Sequence, residues 1–292
     1  MEMNYHRSIM SGKQTMIYKS SEDWLQAKSK RIMLFGMSGV GKTHISNILR
    51  NTGNWYHYSV DYRIGTRYMG EHIVDNFKLE AMKNPFLANL LKSDSIYICS
   101  NISFNNLDPL STFLGKLGSG KMGGLSLEEY SRRQSIHGRA EINSLEDSEH
   151  FIERAKMIYG YNHFVCDTGG SICEVIDPFN PGDSLMEFLS GLMLPVFIEP
   201  TEGWKEKLLK RFIDSPKPMY YRKDFLAKKV EGLDIENLNP DEFSRSMYQD
   251  LVEERLPRYE AMARNWGIKV SVEDLAQVSN VVQFETLIAK KL

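Results

Sequence analysis

Gly36-Met37-Ser38-Gly39-Val40-Gly41-Lys42-Thr43 fits the pattern G-x-x-x-x-G-K-[ST] and follows the apolar run Ile32-Met33-Leu34-Phe35. Four apolar residues ahead of such a loop read as a buried strand, and Ile45, Ile48 and Leu49 recur beyond it at helical spacing. The loop therefore lies between a strand and a helix, the setting in which it has a physical role. Its glycines allow a tight fold that turns backbone N–H groups inward, and the helix start adds partial positive charge, so it can hold an anion of phosphate size. Gly36, Ser38, Gly39, Val40 and Gly41 form the expected cradle. Lys42 is expected to reach the β- and γ-phosphates, and the Thr43 hydroxyl to take one position on Mg²⁺.

Downstream, Trp55 to Val60 is aromatic and β-branched and reads as a second strand that delivers Asp61 at its carboxyl end, with Arg63 and Arg67 just after. Ligands of open parallel α/β sheets bind outside the carboxyl ends of strands, which makes Asp61 a site candidate; the alternative is a cap for the helix from Tyr62 onward. His163-Phe164-Val165-Cys166-Asp167 is another buried strand ending in an acid, followed by Thr168-Gly169-Gly170-Ser171. Asp167 could hold Mg²⁺ or its water, and the glycines admit a ligand close to the backbone; a plain Asp-turn before the next helix would also account for the pattern. Ile96 to Ser103 alternates as a strand does, Leu192 to Ile198 is a short central strand despite Pro195, and Lys269 to Val272 is the last.

Helical patterns cover Ser20 to Lys28 with Ser21 as cap, Gly70 to Lys92 with a break near Pro85, Leu125 to Tyr159, Trp204 to Phe212, Asp241 to Asn265, and Asp274 to Lys291. Pro257 implies a kink near Arg255 or a break into two helices. Residues 1–20 are polar and patternless and read as a flexible lead-in. Asn105 to Gly124 reads as an exposed flexible loop; its Gly115 to Met122 repeats the glycine–lysine spacing but lacks the preceding strand and the final hydroxyl. Basic residues crowd Lys205 to Lys223 around Ser215-Pro216-Lys217-Pro218, where the paired prolines predict a hinge or flap.

The composition is that of a soluble globular chain: 292 residues, 42% hydrophobic and 25% charged, enough for one large α/β domain or two small ones. Lys plus Arg number 36 against 38 Asp plus Glu, so no global field favours nucleic acid or an anionic membrane. Cys99, Cys166 and Cys173 are too few for a disulfide framework, and no His or Cys at ligand spacing joins Cys166 and Cys173, which favours buried free thiols. With no apolar run of membrane length and no leader-like start, a cytoplasmic location is expected. The residues leave the oligomeric state open.

The order of parts resembles the shikimate kinase and gluconate kinase group of P-loop small-molecule kinases, and also bacterial proteins known only as ATPases. The parts are the phosphate loop, Asp61, the strand into Gly169-Gly170, a strand into Glu199-Pro200, a basic flap with Lys217-Pro218, and Glu254-Arg255-Leu256-Pro257-Arg258-Tyr259. The resemblance covers Arg31 to about Arg67 and Asn162 to Leu292, leaving 86–161 as an insertion and about 205–240 as a lid within a kinase-like domain over 21–292. It implies ATP and Mg²⁺ as cofactors, and an α/β/α three-layer P-loop NTPase fold with a mostly parallel sheet. Asp61 would orient the accepting hydroxyl, Gly169 and Gly170 would line the acceptor, and Arg255 would pair with an anionic group on it. Arg211 would lie over the adenine and Lys217 would reach the transferring phosphate. Here the family's glycine triplet is Gly-Gly-Ser, its flap arginine is Lys217, and the first Asp of its Asp-x-Asp pair is Ser59. Lys78 stands where a further acceptor-binding arginine is expected, with Arg63 or Arg67 as substitutes.

Two functions follow as expectations. One is ATP-dependent phosphorylation of a small hydroxylated, anionic metabolite. The other is a nucleotide-gated regulatory ATPase that hydrolyses slowly and holds a partner through the insertion. A GTPase is disfavoured because no Asn-Lys-x-Asp guanine motif occurs.

Overall fold

The computed structural model describes residues 16–292; of the lead-in expected over 1–20, residues 1–15 lie outside the described residues. Five strands, β1 (Arg31–Phe35), β2 (Trp55–Ser59), β3 (His163–Asp167), β4 (Leu194–Glu199) and β5 (Ile268–Ser271), form one sheet in the order β2-β3-β1-β4-β5. Every pairing is parallel. Successive strand residues point to opposite faces, yet Ile32 to Phe35 and Val196 to Ile198 are all buried, so helices must cover both faces. The result is a three-layer α/β/α arrangement. From β1 the chain passes beyond β3 to β2, whereas from β3 it crosses β1 to reach β4, so a crevice opens at the carboxyl ends of β1 and β3. Pro195 sits in β4 opposite Met33, and β4 keeps β1 and β5 as partners on its two sides.

Helix α1 (Ser21–Gln26) precedes β1; Ser20, one residue before the expected cap, accepts the Asp23 N–H at 3.2 Å. Helix α2 (Lys42–Arg50) follows the glycine loop, and α3 (Val60–Arg63) leaves β2 and runs into a π-helical turn over Ile64–Tyr68. The helical stretch beyond Gly70 divides, as expected, into α4 (Gly70–Ala81) and α5 (Pro85–Lys92), with Asn84 capping the second. Helices α6 (Asp108–Leu114), α7 (Leu127–Glu146) and α8 (Ser148–Tyr159) lead to β3, and α9 (Ile172–Val175) and α10 (Ser184–Leu192) connect β3 to β4. Then come α11 (Glu202–Asp214), α12 (Lys223–Val230) and α13 (Pro240–Trp266), while α14 (Val272–Ala276) and α15 (Val281–Ala289) replace the single closing helix.

Other expectations change as well. Ile96 to Ser103 is no strand: it lies as irregular chain on the surface, where half-burial of alternate residues imitates a strand, and Tyr97 and Cys99 are exposed. Asn105 to Gly124 is not a loose loop either. It contains α6, buries Leu117, and docks on the start of α13, with the Ser119 N–H on the Leu238 carbonyl at 2.8 Å and Lys116 paired to Asp241 at 2.6 Å. Of the two outcomes expected of Pro257, the break is absent: α13 runs through it for 27 residues. Cys166 and Cys173 are buried free thiols.

Candidate active site

Gly39 and Gly41 adopt φ of +90° and +99°, a backbone that side chains disfavour and that curls the loop over the start of α2. Within the curl the Lys42 ammonium donates to the carbonyls of Gly36 at 2.9 Å and Met37 at 3.0 Å and is 7% exposed. Burial lowers its pKa, while the carboxylates of Asp167 and Asp61 act in the opposite direction. Thr43 donates its hydroxyl to Asp167 Oδ2 at 2.7 Å, so the two oxygens expected around Mg²⁺ meet at one point. His57 Nε2 lies 3.5 Å from the same oxygen. No cluster of three or more His, Cys, Asp or Glu suited to a metal exists among the described residues. A hydroxyl and one carboxylate at a phosphate loop fit Mg²⁺, which takes few protein ligands and completes its shell with phosphate oxygens and water.

At the end of β2, Ser59 accepts the Tyr62 N–H at 3.3 Å and so fills the capping role that was the alternative for Asp61. Asp61 instead faces Gly169: a Cβ built there would stand 2.6 Å from Asp61 Oδ1 and 3.3 Å from Glu141 Oε1. Burial pushes the Asp61 carboxyl up to about 6, helped by Asp167 and opposed by Lys42. Glu141, on α7, is fully buried; its Oε2 accepts the Ser171 hydroxyl at 2.7 Å and its Oε1 has no partner. Burial raises it to about 8 and lowers His137, one turn earlier and stacked on Tyr220, to about 4. Neither residue was singled out from the sequence. The available signal is that α7 buries a polar stripe, Gln134, His137, Glu141 and Ser144, at spacings of three and four.

Arg255 is 1% exposed and held in the wall by three hydrogen bonds. Its Nε donates to Glu174 Oε1 at 2.7 Å, Nη1 to the Gly170 carbonyl at 2.8 Å, and Nη2 to the Tyr220 carbonyl at 2.6 Å. Tyr259 also donates to the Gly170 carbonyl, and Arg258 donates to the carbonyls of Cys173 and Ile176. The Glu254 to Tyr259 motif thus clamps the segment after β3. Arg63 is placed elsewhere, held by Asp147 at 2.7 Å and stacked over Phe151. Arg67 is exposed, and Lys78 pairs with Asp75 at 3.1 Å on α4.

Two cavities meet over the loop. One, of about 610 Å³, is bordered by Ser38, Gly39, Thr43, Arg211 and Lys217; the Arg211 guanidinium lies directly over Gly39. The other, of about 330 Å³, is bordered by Asp61, His137, Gly170, Ser171, Tyr220 and Arg255. Ser38, Phe104, Asn105, Lys217 and Met219 border both. The glycine–lysine stretch from Gly115 to Met122 borders neither.

No protein-family model matches the chain, and no curated protein matches it. Among solved structures it is similar to shikimate kinase from Bacteroides thetaiotaomicron, at 15% identity over 89% of this chain and 95% of that one, with a TM-score of 0.39. The fold rests on the chain's own features. A five-stranded all-parallel sheet, with a G-x-x-x-x-G-K-T loop between its central strand and the following helix, is the P-loop nucleotide-binding arrangement. No helix among the described residues is long and apolar enough to cross a membrane.

Proposed function

We propose that this chain transfers the γ-phosphoryl group of ATP to a hydroxyl of a small metabolite. The observation that carries the reading is the pair of cavities that share a border of Ser38, Phe104, Asn105, Lys217 and Met219. One lies along the phosphate loop and the other along Asp61, as two substrates reacting across a shared opening require.

In this reading the larger cavity takes the nucleotide, with Arg211 against its base or sugar and the loop amides on its phosphates. Thr43 and Asp167 hold Mg²⁺, which supplies counter-charge to the phosphates when bound. Lys42 leaves the carbonyls of Gly36 and Met37 for the β- and γ-phosphates. Asp61 takes the proton of the acceptor hydroxyl as its oxygen bonds to the γ-phosphorus and the bond to the β-phosphate oxygen breaks. Lys217, on the flap formed by about 205–240, balances charge on the group in transit. Its ammonium is a point charge without the bidentate fork of an arginine, so it steers less tightly.

The test is γ-phosphoryl transfer from labelled ATP into a metabolite extract, with Lys42→Ala as control. An acceptor should stimulate ADP release well above the basal rate in the wild type only. The regulatory reading draws on Phe86 and Tyr97, 70% and 87% exposed within 86–161, as a surface for a partner. It requires water to be the only acceptor, so one stimulating metabolite would remove it.

A further inference from the structure

We infer that the molecule occupying the smaller cavity is an uncharged, hydroxyl-rich compound, because the two cations bordering that cavity, Lys217 and Arg255, are committed elsewhere. The inference rests on the two-cavity reading of the site and narrows its acceptor; it departs from the anionic metabolite expected from sequence.

The charged groups bordering the cavity are Asp61, Asp108, Lys217 and Arg255. Arg255 carries the role that an anionic acceptor would need. Yet its charge is matched by Glu174, both side chains being 1% exposed, and each of its three nitrogens already donates to the protein. Glu174 is also within 3.4 Å of Arg222, so withdrawing it from Arg255 would unsettle a second pair. Lys217 stands at the junction with the nucleotide cavity, where phosphate oxygens claim it. The other basic residues proposed for the acceptor lie outside the cavity: Arg63 is tied to Asp147, Arg67 is exposed, and Lys78 pairs with Asp75.

Besides Lys217 and Arg255, the charged groups bordering the cavity are acidic, Asp61 and Asp108. A carboxylate or phosphate set down here would be desolvated beside Asp61 and Asp108 with no uncommitted cation, whereas hydroxyls would find donors and acceptors. Ser111, Ser171, Tyr220 and Asn105 offer uncharged hydrogen-bonding groups, and the His137 imidazole, neutral at physiological pH, has an Nδ1 with no hydrogen-bond partner, 3.9 Å from Glu141 Oε2. Leu107, Leu110 and Leu114 add apolar surface to the same lining, which suits the C–H face of a sugar or cyclic polyol.

The full chain, saturated with a non-hydrolysable ATP analogue and Mg²⁺, would be titrated calorimetrically with matched pairs: a hexose against its uronic acid, and a cyclic polyol against its carboxylated counterpart. The uncharged member should bind at least about tenfold tighter, since the acid meets an unpaired desolvation penalty. Ser111→Lys, shown folded by its melting curve, should move the preference toward the acid. Tighter binding of the acids to the wild type, or binding of neither class, would overturn the inference. Labelled ATP separates the two readings: if uncharged compounds bind but receive no phosphoryl group, the ligand class stands and the transferase reading fails. If acids bind and are phosphorylated, the reverse holds.

Discussion

The Thr43 hydroxyl reaches Asp167 Oδ2 over 2.7 Å, although 124 residues separate them. That hydrogen bond exists because β1 and β3 are adjacent and in register, with Leu34 opposite Asp167. The strand pairing therefore sets the distance between the two oxygens proposed for Mg²⁺. Asp167→Asn should keep the hydrogen bond and remove the charge. The expected result is that Mg²⁺ no longer tightens ATP binding, a loss of about tenfold or more. Titrating ATP with and without Mg²⁺ checks this, and an undiminished Mg²⁺ effect would remove Asp167 from the metal role.

Lys42 is a buried ammonium held by two carbonyls, with its pKa lowered by burial. Lys42→Ala should cut nucleotide-dependent transfer by about a hundredfold or more, because the ammonium's interaction with the phosphates is lost where little water can replace it. The melting midpoint of the nucleotide-free protein should stay close to wild type, since removing a desolvated charge offsets the lost hydrogen bonds. A variant that unfolds instead would show that Lys42 is structural first.

Asp61 titrates near 6 through burial and its proximity to Asp167. The proposed role of proton acceptor requires it ionised, so kcat/KM should rise with pH through about 6 and then level off. Asp61→Asn should remove this limb along with most of the activity. A pH–rate profile for both proteins decides it, and a limb that persists in the variant would assign the titration to another group.

Glu141 takes up a proton on folding, because its value rises from 4.5 unfolded to about 8 folded. Between those values the folded state binds more protons than the unfolded, so stability is greatest at the acid end and falls as pH rises toward 8. The slope reaches about 1.4 kcal/mol per pH unit where Glu141 is neutral folded and ionised unfolded. Asp61 acts in the same sense between 3.8 and about 6, and His137 in the opposite sense between about 4 and 6.5. Glu141→Gln keeps a neutral side chain and abolishes the titration. Urea midpoints for both proteins at pH 6.5 and 8 should show a shallower fall for the variant; equal falls would mean that Glu141 is already ionised.

Gly169 leaves no room for a methyl group, since its Cβ would lie 2.6 Å from Asp61 Oδ1. Gly169→Ala should displace that carboxylate and lower acceptor turnover by about tenfold or more, while ATP affinity measured by direct binding stays unchanged. Loss of ATP binding in step with turnover would place the effect in the nucleotide cavity instead.

Several elements were legible from contiguous residues. The strand, loop and helix around Gly36 to Thr43, the strand ending in Asp167, and the division of the helix near Pro85 each depend on neighbours in the chain, through periodicity, glycine conformation and capping. The failures share another cause. Ile96 to Ser103 alternates because it half-buries on a surface, and alternation reports burial without saying which strand, if any, is alongside. Helix α7 was legible as a helix, but its buried stripe of Gln134, His137, Glu141 and Ser144 acquires meaning only when it packs over the carboxyl ends of the sheet.

Arg255 marks the boundary most sharply. Its motif is plain in the chain and its position in the wall follows from α13, but its partner, Glu174, is 81 residues away and was brought there by the segment after β3. Local chemistry thus specified a phosphate loop on a parallel sheet. Which charges neutralise one another, and so which charge the second cavity lacks, depended on long-range packing, because an ion pair is defined by distance in space and leaves no periodic trace along the chain.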